Sequence, residues 1–100
     1  MSISTHVLDA VTGLPAPGVP VRLERAGGVV AEARTDADGR VRDLGLSASG
    51  VHRLIFDTAA VFPDGFYPEV VITFTVTEPD RHHHVPLLLS PFAYSTYRGS

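Results

Sequence analysis

Apolar and polar residues alternate with a period of two through almost the whole chain, cut by Gly, Pro or Asp clusters about every eight to twelve residues, and few folds accept such a pattern. Ile3 to Asp9 sets Ile3, Thr5 and Val7 against Ser4, His6 and Leu8. Residues 11–18 carry two prolines and two glycines and form a connection. Val19 to Arg25 opposes Val19, Val21 and Leu23 to Pro20, Arg22 and Glu24, and Gly27-Gly28 marks a hairpin into Val29 to Thr35. Asp36-Ala37-Asp38-Gly39 turns the chain into a short strand from Arg40 to Leu44. After a loop at residues 47–50, strands follow at Val51 to Asp57, Glu69 to Thr77, His82 to Leu89 and Phe92 to Arg98, the last two joined at Ser90-Pro91. A helical turn fits only in residues 58–66, where Pro63 and Gly65 keep it short. Eight short strands with this spacing predict an all-β, antiparallel, two-sheet β-sandwich, with at most one short helix between strands five and six.

Composition narrows the function classes. One hundred residues, 44% hydrophobic and 19% charged, with no repeat, linker or low-complexity tract, predict a single globular domain over 1–100 that association with other copies would help to bury. A net charge of -3 leaves no basic footprint for nucleic acid. All eight basic residues are Arg, so Schiff-base and P-loop lysine chemistry is excluded, and the cations available suit forked recognition of carbonyls, carboxylates and ureides. The absence of Cys excludes disulfides and thiol nucleophiles. No apolar run approaches spanning length and no leader pattern opens the chain, so no membrane partner and a cytoplasmic location are expected.

The last nineteen residues, from His82 to Ser100, hold the densest functional groups. Strand parity places His82 and His84 with Pro86 and Leu88, and His83 with Val85, Leu87 and Leu89. An all-aliphatic face is core, so His82 and His84 face outward, as does His6 opposite Ile3, Thr5 and Val7. Tyr97 lies on the Ala93, Ser95 face of the last strand, and if the first, seventh and last strands share a sheet, His6, His84 and Tyr97 converge. Three consecutive histidines beside a loop also fit an ordinary solvated strand start. A zinc site of His6, His82 and His84 is a further reading, weakened by the lack of a carboxylate to support it. Asp36 to Gly39 is like the start of a calcium loop but lacks the closing acidic ligand, and is expected to be a turn.

The segments Thr5-His6-Val7-Leu8-Asp9 with Gly13-Leu14-Pro15-Ala16, Thr35-Asp36-Ala37-Asp38-Gly39-Arg40, and His84-Val85-Pro86-Leu87-Leu88-Leu89-Ser90 leading to Tyr97-Arg98-Gly99-Ser100 resemble the transthyretin-related 5-hydroxyisourate hydrolases from the first strand to the last residue. The resemblance implies a transthyretin-type sandwich assembled as a homotetramer, a dimer of dimers with active sites at the dimer–dimer interface. It implies hydrolysis of the purine derivative 5-hydroxyisourate to 2-oxo-4-hydroxy-4-carboxy-5-ureidoimidazoline in urate breakdown, with no metal and no organic cofactor. His6, Arg40 and His84 match the family's catalytic residues, and Tyr97, Arg98, Gly99 and Ser100 its terminal signature.

On that basis His6 or His84 is the general base, with the other polarising substrate or returning a proton. Arg40 stabilises developing negative charge. Ser100 offers a hydroxyl or the terminal carboxylate, with Arg98 holding the latter. Tyr97 shortens the pocket, Gly99 lets the backbone approach the ligand, and His82 supports His84 from behind. The alternatives are a transthyretin-like small-ligand carrier, which has a small residue at the position of Tyr97 and no histidines at those of His6 and His84, and a structural sandwich module, which leaves the crowded tail unexplained.

Overall fold

The computed structural model describes residues 2–45 and 48–100, so Ser47 of the loop expected at 47–50 lies outside the described residues. Among the described residues nine strands form two sheets: β1 (Ile3–Asp9), β2 (Leu14–Pro15), β3 (Pro20–Arg25), β4 (Gly28–Arg34), β5 (Arg40–Val41), β6 (Gly50–Phe56), β7 (Val70–Val76), β8 (His83–Ser90) and β9 (Ala93–Thr96). All eight expected strands are present, and the two-residue β2 is additional. One sheet runs β2-β1-β8-β9 with β5 also on β1, and the other runs β4-β3-β6-β7. The helical turn shrinks to a 3-10 turn over Thr58–Ala60, closed by Val61 N, which donates to Thr58 O at 3.1 Å. No helix among the described residues is long and apolar enough to cross a membrane.

The predicted inward faces make the core. Ile3, Val7, Leu23, Leu54, Phe56, Val70 and Leu87 are almost entirely removed from water, and Val85 and Leu89 join them. At about 25 cal/mol per Å2, such apolar burial supplies the main favourable contribution to folding. His52 shares this interior, where its ring stacks on Phe74 at 5.6 Å and its Nδ1–H donates to the Gly50 carbonyl at 3.1 Å. Thr35 ties in the proline-rich connection, because its buried hydroxyl donates to Ala16 O at 2.7 Å and accepts from Val19 N at 2.9 Å.

Three local expectations are corrected. The first hairpin turns at Ala26-Gly27 and not at Gly27-Gly28, since Arg25 pairs with Gly28 across two residues of positive φ (53° and 79°), the twist that two-residue hairpin turns require. The strand expected over Arg40 to Leu44 is regular only at Arg40–Val41, beyond which Leu44 N donates to Ile3 O at 2.8 Å outside any ladder. The pairing is antiparallel everywhere except between β1 and β8, which run parallel over seven registered pairs from Ile3–His83 to Asp9–Leu89. Both β1 and β8 are inner strands of their sheet, paired on either side, and alternation alone carries no sign of strand direction.

Candidate active site

That parallel register builds the site. Residues paired across a sheet share a face, so Ser4 and His84 lie side by side, and Gly99 bridges His84 from the other flank. One step along, His6 pairs with Pro86 on β8 and with Arg40 on β5. The β8–β9 register, continued past Thr96 to the Gly99 bridge, sets Tyr97 opposite Pro86 in the same row. The outer face of this sheet thus carries His6, Arg40, His84 and Tyr97 within two rows.

The turn before β5 fixes Arg40. Asp36 Oδ1 accepts from Asp38 N at 2.9 Å and Arg40 N at 3.0 Å, and Gly39 N donates back to Asp36 O at 2.9 Å. The Arg40 backbone N–H is the main cause holding the Asp36 carboxyl below its ordinary value. Gly39 has φ 73°, and a Cβ there would sit 2.5 Å from Val7 O, so only glycine lets the turn lie this close to β1. The Asp36 to Gly39 segment is therefore a turn whose carboxylate serves its own backbone. Among the described residues, the Arg40 guanidinium makes no hydrogen bond or ion pair, whereas Arg42 pairs with Asp38 at 3.4 Å and Asp36 at 3.8 Å.

The two imidazoles are held from opposite sides. His6 Nε2 lies 2.9 Å from Asp38 O. A carbonyl only accepts, so Nε2 carries the hydrogen and Nδ1 is the free nitrogen of the neutral ring. His84 Nδ1 lies 2.7 Å from Ser4 Oγ, leaving its Nε2 free. Burial first, then the positive charge of Arg40 and repulsion from His6 and His82 whenever they are protonated, push His84 below the ordinary imidazole value, so it is neutral at neutral pH. His82, exposed, lies with Nε2 2.8 Å from the same Ser4 Oγ and Nδ1 3.0 Å from Ser2 Oγ. With His82 and His84 both turned to Ser4, no three His, Cys, Asp or Glu side chains among the described residues converge as a metal would require.

A shallow cleft of about 430 Å3 is lined by Arg40, Arg42, His82, His84, Tyr97 and Ser100, with Ser4 at its floor. His6 stands beside Arg40 at its edge. Gly99 lines the same cleft and also packs on the imidazole, since a Cβ on it would meet His84 Cδ2 at 2.5 Å. Arg98 forms no ion pair with any described residue, and it lies with Tyr97 on a second depression that also borders His84. Ser4 is the residue sequence reasoning passed over. Its parity with His6 was visible, but its contact with both histidines depends on the parallel register. A more apolar cavity of about 390 Å3, at the far end near Val61, Phe62, Tyr67 and Leu89, contains no imidazole or guanidinium among its lining residues.

The molecule is thus a two-sheet sandwich with an imidazole and guanidinium cluster on the outer face of one sheet, the kind of fold and site against which known proteins can be compared. The profile of the HIUase/Transthyretin family matches residues 3–99, and the chain belongs to that family. It is 46% identical over 115 aligned residues to a 5-hydroxyisourate hydrolase of Caulobacter vibrioides, covering 98% of this chain and 97% of that protein. The solved structure of Klebsiella pneumoniae 5-hydroxyisourate hydrolase superposes with a TM-score of 0.91 at 37% identity, covering 99% of this chain and 98% of that one. Sea bream transthyretin in complex with thyroxine superposes with a TM-score of 0.88 at 32% identity, covering 99% and 95%.

Proposed function

We propose that this chain, acting as one domain, is a 5-hydroxyisourate hydrolase of urate catabolism. The carrying observation is the cluster on the β1–β8 face, where a desolvated imidazole and a guanidinium with no side-chain partner among the described residues line one cleft, and a second fixed imidazole is paired beside that guanidinium. A carrier has no use for a base of this kind, which favours hydrolysis over ligand transport.

His84 is the general base. Its Nε2 takes a proton from water as the water oxygen attacks the carbonyl carbon of the cyclic amide, and its lowered proton affinity keeps that lone pair available at neutral pH. Arg40 forks onto the carbonyl oxygen as negative charge develops there, an interaction that is strongest in the transition state. His6, its ring set by Asp38 O, polarises the substrate from the Arg40 side. When the carbon–nitrogen bond breaks, the proton on His84 passes to the leaving nitrogen. Tyr97 and Ser100 bound the cleft and orient the flat substrate, Arg98 lies on the adjoining depression that Tyr97 and His84 share, and Gly99 and His82 act on His84. No step in this sequence calls for a cofactor.

The cleft is open on one side, and β9 and β7 are sheet edges with free backbone groups, which supports a homotetramer whose dimer–dimer interface closes the site. A cytoplasmic location accords with this role. The test replaces His6, Arg40 and His84 singly by Ala and deletes Ser100, following substrate decay together with native mass spectrometry. Each change should lower turnover about a hundredfold or more while the tetramer persists. Turnover unchanged in all four variants contradicts the assignment.

A further inference from the structure

The parallel register of β1 and β8 places Ser2 and Ser4 alternately with His82 and His84, and the four side chains join end to end. Ser2 Oγ lies 3.0 Å from His82 Nδ1, His82 Nε2 lies 2.8 Å from Ser4 Oγ, and Ser4 Oγ lies 2.7 Å from His84 Nδ1. We propose that this chain is a proton relay, in which Ser4 and His82 carry to solvent the proton equivalent that His84 takes from the attacking water. The proposal rests on the hydrolase reading of the site and assigns Ser4 and His82 as positioning residues for it.

The Ser4 hydroxyl has a single hydrogen to donate. With no third polar partner among the described residues, that hydroxyl donates to one ring and accepts from the other. Two arrangements satisfy all three contacts. In the first, His84 Nδ1–H donates to Ser4, Ser4 donates to His82 Nε2, and His82 Nδ1–H donates to Ser2, so His84 Nε2 is a base. In the second, Ser2 donates to His82 Nδ1, His82 Nε2–H donates to Ser4, and Ser4 donates to His84 Nδ1, so His84 Nε2–H is an acid.

The passage between them balances. The water O–H breaks and His84 Nε2–H forms. The Nδ1 hydrogen of His84 moves to Ser4, that of Ser4 to His82 Nε2, that of His82 Nδ1 to Ser2, and one from Ser2 to solvent. When the leaving nitrogen takes the hydrogen on His84 Nε2, the shift reverses and solvent returns the proton. His84 thereby serves as base and then as acid without remaining an imidazolium.

The surroundings favour this arrangement. Burial and the Arg40 charge, with repulsion from His6 and His82 whenever those rings are protonated, disfavour a standing positive charge on His84. Ser4 is only 6% exposed, so water does not compete for its hydroxyl, while His82 opens to solvent at the far end.

The test uses the intact protein with Ser4→Ala, His82→Gln and His82→Ala. The relay predicts that kcat falls about tenfold in each while KM stays within about twofold, and that imidazole in the buffer restores His82→Ala but not Ser4→Ala. His82→Gln at wild-type kcat overturns it, because the amide holds Ser4 but passes no proton. Should Ser4→Ala fail to fold, the two variants at exposed His82 decide. Nitrogen-15 NMR of the histidine rings needs no substrate: the relay requires His82 and His84 to share one tautomer in the wild type, and opposite tautomers overturn it. An inactive wild type overturns the hydrolase reading instead, and the tautomers then still report whether the chain of hydrogen bonds exists.

Discussion

Gly99 and Arg40 act on the same imidazole in opposite ways, one by contact and one by charge. A methyl group on Gly99 would lie 2.5 Å from His84 Cδ2, so Gly99→Ala must displace the ring. Because misplacing a catalytic group by about 1 Å costs on the order of 10²-fold, Gly99→Ala should reduce kcat about tenfold to a hundredfold with little change in melting temperature, which kinetics and thermal unfolding check together. Arg40 lowers the proton affinity of His84 by its charge. Arg40→Gln removes that charge, stabilises the imidazolium and moves the His84 pKa upward. The acid limb of the pH profile, expected below the ordinary 6.5 in the wild type, should move to higher pH, and proton NMR titration of His84 should show the same direction. These residues were legible in the sequence because parity alone puts His6 and His84 outward, and their identities carried the family resemblance. The roles of Ser4 and Gly99 were not, since a serine of the right parity and a glycine near a terminus say nothing until register brings each against an imidazole.

At the scale of elements, the alternation pattern specified every long strand and its inward face, but not the direction of β1 relative to β8. A period of two is the same whichever way a strand runs, so the parallel pair that lines up Ser4 with His84 had to come from the fold. Turn geometry was read to within one residue. The β3–β4 hairpin holds Ala26 at φ 53°, a left-handed conformation that a Cβ resists. Ala26→Gly should therefore stabilise the protein by about 0.5–1 kcal/mol, measured as a higher denaturant midpoint with unchanged slope. The turn ending at Gly39 is the opposite case. There the space is closed as well as the conformation, and Gly39→Ala should both destabilise the protein and weaken catalysis by pulling Arg40 from His6.

The whole molecule is a thin sandwich, 36 × 25 × 20 Å, and the face to which we assign the reaction is a sheet surface with a shallow cleft and not an internal cavity. An exposed Tyr97 (60%) and an unpaired Arg40 on that face make sense when a second copy covers it, and a chain of one hundred residues gains burial by the same association. The composition already pointed this way, because a core this small leaves Val11, Leu14, Phe92 and Tyr94 in water in the single chain. What joins the scales is one chemical claim, that the β1–β8 face hydrolyses 5-hydroxyisourate. The most direct measurement generates 5-hydroxyisourate freshly from urate and follows its ultraviolet decay with and without the purified protein at neutral pH. The account predicts decay accelerated in proportion to protein concentration, lost in His84→Ala. Decay at the spontaneous rate at every protein concentration would contradict it.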